Sequence, residues 1–130
     1  MDFETTMETS LIEAQVSQRA QTLGALLRET VEFRTFLQAS QGIEENALVQ
    51  KLLEQIESHR SALQWGLGDT AEHRAALRKL QAQLEALPSV QAYRQAERVV
   101  RDLFRAVDAL ISEAAGVDFA VNARRSCCGG

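Results

Sequence analysis

The residues with the most chemical content stand at the end of the chain, where Cys127 and Cys128 are adjacent. Neighbouring Cα atoms lie about 3.8 Å apart across a trans peptide, short of the roughly 4.4–6.8 Å that a disulfide prefers. Two thiolates are also too few for a tetrahedral zinc or a four-cysteine iron–sulfur cluster. A metal held by Cys127 and Cys128 would therefore need ligands from another chain. The competing reading is a reactive thiol pair with no metal. Cys128 is followed only by Gly129 and Gly130, so the aliphatic positions of a prenylation box are missing.

The other candidates for chemistry are His59, His73, the acidic pair Glu44-Glu45 and a run of arginines. Neither histidine has a Cys, Asp or Glu at a metal-binding spacing such as H-E-x-x-H. His59 falls in an apolar register and His73 precedes a leucine seam, which marks both as helix-packing residues. Glu44 and Glu45 read as acids at the start of a helix, where they meet the positive end of its dipole. No glycine-rich phosphate loop is present, and Gly66-x-Gly68 reads as a turn. The pattern carries no catalytic constellation, and the expectation is a protein that is not an enzyme.

Arg94, Arg98, Arg101 and Arg105 follow one another at steps of four, three and four. This spacing lines one helical face, which would suit RNA phosphates or an acidic partner. Ion pairs at i,i+4, Glu97 with Arg101 and Asp102 with Arg98, offer the plainer explanation of a solvated helix face.

These residues must be positioned by helices. Ala, Leu, Glu, Gln and Arg supply 72 of the 130 residues, and all five lose little side-chain freedom on a helix. Five segments show helical periodicity. Thr5 and Glu8 have capping-box spacing before Ile12, Val16, Ala20, Leu23 and Leu27. Thr30 caps a short helix with Phe33, Phe36 and Leu37, stopping near Gly42. Leu48, Leu52, Ile56, His59 and Leu63 form a third face from Glu44 onward. Asp69 and Glu72 make a second capping box ahead of Leu77, Leu80, Leu84 and Leu87. Pro88 suits the first turn of a last helix over about 88–115, because its missing N–H costs nothing there.

That last helix has the clearest seam: Val100, Leu103, Val107 and Leu110, widened by Phe104 and Ile111. At 1.5 Å per residue it would be about 42 Å long, whereas a compact globule of this size is roughly 36 Å across. The expectation is an all-α, elongated bundle of about five helices with a long C-terminal helix. Its seam would be shared between packing within the chain and packing against a homodimer or hetero-oligomer partner. Residues 1–116 form the predicted bundle domain and residues 117–130 a flexible C-terminal tail.

The net charge is −4. Residues 1–65 carry five basic and ten acidic side chains, residues 66–130 nine and eight. Neither half has the strongly basic footprint of a nucleic-acid-binding domain, and no DNA partner is expected. No apolar stretch approaches the roughly 20 residues of a membrane span, and the acidic start Met1-Asp2-Phe3-Glu4 lacks the features of a signal peptide. A cytoplasmic location is expected.

Three stretches carry a family resemblance. They are Leu26 through Phe36 with Thr30-Val31-Glu32-Phe33, the long third helix ending near Leu63, and above all Leu87-Pro88-Ser89-Val90-Gln91-Ala92-Tyr93-Arg94-Gln95-Ala96-Glu97. Over roughly residues 10–120 the chain resembles the YlbF/YmcA family of small bacterial helical proteins. The resemblance implies an antiparallel bundle that dimerises and acts as a non-enzymatic regulator with related helical proteins. Characterised relatives affect competence, sporulation and biofilm formation, and the maturation of messenger RNA by the endoribonuclease RNase Y. The resemblance also implies an iron–sulfur cluster shared between subunits, with Cys127 and Cys128 as its ligands in this chain. An adjacent pair departs from that picture, and other family members lack tail cysteines. The alternative function is direct RNA binding through Arg94, Arg98, Arg101 and Arg105.

Overall fold

The structure is a computed structural model that describes the backbone of residues 2–128 and the side chains of residues 4–124. Six helices follow one another: α1 (Asp2–Glu29), α2 (Val31–Glu45), α3 (Ala47–Gln64), α4 (Thr70–Glu85), α5 (Pro88–Ala115) and α6 (Phe119–Cys128). No strand occurs among the described residues, so the fold is all-α. Contacts divide the chain into two units, residues 1–34 and residues 35–130.

The first unit is α1 and the first turn of α2. Thr5 and Glu8 do not start α1, which already begins at Asp2. Instead the Thr9 hydroxyl donates to the Thr5 carbonyl at 2.9 Å, a bond internal to the helix. Thr30 forms the joint that the local pattern predicts. Its hydroxyl accepts from the Phe33 amide at 3.2 Å and donates to the Leu27 carbonyl at 2.6 Å, closing one helix and opening the next.

The second unit contains the core. Val49, Leu52, Ile56, Leu84 and Val90 are buried together, with Ile43, Leu77, Leu80 and Leu87 packed against them. The i, i+3, i+7 spacing of Val49, Leu52 and Ile56 keeps them on one side of α3. α3 and α4 form an antiparallel hairpin. At its turn, Gly66 and Gly68 have φ of 65° and 69°, which a Cβ would oppose. The Asp69 carboxylate then caps α4 by accepting from the Ala71 amide at 2.9 Å.

Three local expectations are corrected. α2 does not stop near Gly42 but runs on to Glu45, since a single glycine costs a helix only about 1 kcal/mol. Glu44 and Glu45 consequently lie at the C-terminal end of α2, not at the start of α3. The cap of α3 is Asn46, whose side-chain oxygen accepts from the Val49 amide at 3.1 Å while its amide group donates to the Ser89 hydroxyl at 3.3 Å.

The third correction is α6, where the local pattern predicts only a tail. α5 ends at Gly116, in the left-handed region at φ 74°. The free N–H groups at the start of α6 are then satisfied by α5 itself. The Phe119 amide donates to the Ser112 hydroxyl at 2.9 Å and the Ala120 amide to the Asp108 carboxylate at 3.2 Å. Among the described residues the helices therefore number six, against about five expected.

Candidate functional site

α5 carries most of the residues that the sequence singles out. Pro88 occupies its first turn, as expected from a residue without an N–H, and Leu87 precedes it in extended conformation. Val90, Ala96 and Val100 are the buried positions of this helix. Leu103, Val107 and Ile111 are half-buried, while Phe104 and Leu110 are exposed. The predicted seam thus runs from a covered end at Val100 to an open end at Leu110.

The four arginines are placed along α5 with partners from the chain itself. Arg94 reaches across to α4, where the Glu85 carboxylate accepts from Nη2 at 2.9 Å and from Nε at 3.3 Å. This hydrogen bond raises the Arg94 pKa above the usual guanidinium range. The guanidinium lies 6.0 Å from the centre of the Tyr93 ring, which in turn meets Phe36 of α2 at 5.6 Å. Burial, reinforced by a hydrogen bond to Glu97, holds the Tyr93 hydroxyl above the ordinary phenol range.

Further along, Arg101 pairs with Glu97 at 3.1 Å, the i,i+4 bridge expected. Asp102, expected to pair with Arg98, instead meets Arg105 at 3.6 Å, and Arg98 donates to the Gln95 side chain at 2.7 Å. Three of the four guanidiniums therefore have carboxylate partners. Arg101 and Arg105 also border an open groove of about 540 Å³, which they share with Phe104, Asp108, Ala120 and Arg124. Arg124 comes from α6, so this groove could not be foreseen from α5 alone.

The side chains of Cys127 and Cys128 lie outside the described residues. Among the described residues no group of three or more His, Cys, Asp or Glu side chains stands together as a metal site. The donor set within one chain, two adjacent thiols, falls short of the four that a cubane cluster takes.

The two histidines are where local reasoning missed most. His59 on α3 and His73 on α4 face each other near the hairpin turn, with Nδ1 atoms 2.9 Å apart and rings tilted by 57°. Both are half-buried. Fourteen residues and a two-glycine turn separate them, so no spacing motif could reveal the pair. Only the register of the hairpin does.

Apolar side chains are also left open on other helices. Met7, Leu11, Ile12, Val16 and Leu26 of α1 are exposed, as are Trp65 and Leu67 at the hairpin turn. No helix among the described residues is long and apolar enough to cross a membrane.

A model of the family described as control of competence regulator ComK, YlbF/YmcA, matches residues 16–115. That span takes in the second half of α1 and the whole of α2 to α5. A comparison with curated proteins finds no match.

Proposed function

Because the chain belongs to the YlbF/YmcA family, we propose that it is a non-catalytic regulatory or adaptor subunit that acts through protein partners. The observation that carries this reading is the family match across residues 16–115, whose description is one of regulatory control. The apolar side chains that α1 and the far end of α5 present to solvent support it, because contiguous exposed apolar surface marks interaction sites. In this reading the partners are related helical proteins or a second copy of the chain, and the regulated process is messenger RNA processing by an RNase Y-associated complex. Cys127 and Cys128 would contribute thiolates to an iron–sulfur cluster completed by another subunit, since soft donors in a reducing compartment suit that role.

Purification of the tagged chain from its native host, with RNase Y quantified in the eluate, tests the reading. Co-purification together with altered messenger RNA ends in a deletion strain is the expected result. Absence of both would overturn it. Iron and sulfide content of the anaerobically purified complex, compared with the Cys127→Ser/Cys128→Ser variant, tests the cluster separately. Equal iron in the two would remove the cysteines from the ligand set.

The second reading, direct RNA binding, draws on the groove where Arg101, Arg105 and Arg124 meet beside Phe104. Binding of that kind weakens steeply with salt as counterions are released. Against it, carboxylates already engage Arg94, Arg101 and Arg105. Unchanged RNA affinity after replacing Arg94, Arg98, Arg101 and Arg105 together would eliminate it.

A further inference from the structure

We propose that His59 and His73 form a two-nitrogen site for a divalent late transition metal ion of the nickel or copper kind, clipping α3 to α4. These are the two histidines of the chain, and the hairpin register brings their Nδ1 atoms to 2.9 Å. Two nitrogens bound in cis positions at about 2.0–2.1 Å from a metal lie about 2.9 Å apart when the angle at the metal is square. A tetrahedral ion would spread them to roughly 3.3 Å by the same bond lengths. The spacing is thus compatible with a tetragonal Ni²⁺ or Cu²⁺ ion, and imidazole nitrogen suits both.

The rings are tilted by 57° and not stacked, and coordination would require each ring to turn its Nδ1 lone pair from its partner toward the ion. In the metal-free pair one Nδ1 carries the proton that the other accepts. On coordination that proton moves to Nε2 of the same ring, leaving both imidazoles neutral with Nδ1 free to bind.

An open cavity borders His59 but not His73. Gln55, Ser58, Ala76, Lys79, Leu80 and Gln83 line it, and its amide and hydroxyl groups could hold metal-bound water on the His59 side. Among the described residues no third His, Cys, Asp or Glu completes the set, so water fills it. The Lys79 ammonium in the same cavity keeps the affinity moderate. On the other side, a Cβ at Gly68 would come within 3.0 Å of His73 Nε2. Gly68, with φ 69°, thus both makes the turn and leaves space for the ring.

The test is a calorimetric titration of Ni²⁺ alone into the full chain carrying Cys127→Ser and Cys128→Ser, so that thiolates do not compete. One ion per chain is expected. His59→Gln or His73→Gln should each weaken binding by at least an order of magnitude, with circular dichroism in chelator confirming that each variant folds. A second measurement needs no histidine variant. Ni²⁺ added to the same background should selectively broaden the ring resonances of His59 and His73, and it should raise the thermal midpoint, since a ligand bound only to the folded state stabilises it. Equal binding in the histidine variants, or broadening that spares both rings, would overturn the proposal and leave the pair as a hydrogen-bonded clamp.

Discussion

α3 and α1 are both built from helix-forming residues with apolar side chains at intervals of three and four, yet their surroundings are opposite. α3 holds Val49, Leu52 and Ile56 at 1%, 6% and 4% exposure, whereas α1 leaves Leu11, Ile12 and Val16 at 63%, 60% and 62%. The same local pattern therefore specifies a helix in each case and says nothing of what covers it. For α3 the cover is α4 and the start of α5.

The largest effects should separate these two helices. Leu52→Ala removes a buried side chain and should cost about 2–5 kcal/mol in chemical denaturation. Ile12→Ala, on the exposed face of α1, should stay within about 0.5 kcal/mol in the isolated protein. A large loss from Ile12→Ala would show that α1 is covered after all.

Leu103→Ala comes next, at the half-buried middle of the α5 seam. If the seam serves both folding and association, the variant should lower the denaturation midpoint and shift sedimentation toward the monomer together. A change in one alone would assign the seam to that role only. Asn46→Ala should cost about 1 kcal/mol by removing the α3 cap, and Asn46→Asp, which keeps the accepting oxygen, should recover most of it.

The smallest effect belongs to the Arg94–Glu85 pair, which is about half exposed on both sides. Glu85→Gln should cost less than about 1 kcal/mol, and the difference should shrink further in high salt. A salt-independent loss would mean that the pair orders the α4–α5 junction by more than its charge.

Sequence periodicity located what depends on neighbours in the chain. Pro88 at the start of α5, the positive-φ glycines at the α3–α4 turn and the Thr30 joint all follow from backbone chemistry that one or two residues dictate. What depends on another helix was hidden. α6 is started by Ser112 and Asp108, seven and twelve residues before the amides they satisfy. The Asn46–Ser89 contact spans 43 residues, and the His59–His73 pair exists because of hairpin register. Arg124 joins Arg101 and Arg105 only once α6 has folded back onto α5. The arginine stripe itself was visible in α5, but its partners were only partly so, because Asp102 had two choices, Arg98 four residues before it and Arg105 three residues after it.

The central claim is that a self-sufficient core around α3 and α4 carries helices whose open apolar side chains serve partners. Amide hydrogen exchange, on the purified chain and on the complex recovered from its host, addresses it most directly. The account predicts slow exchange at Leu52 and Ile56 in both samples, and fast exchange across residues 8–18 of α1 in the free chain that slows in the complex. Exchange across α1 that is as slow as in α3 for the free chain at low concentration, or that does not change in the complex, would contradict it.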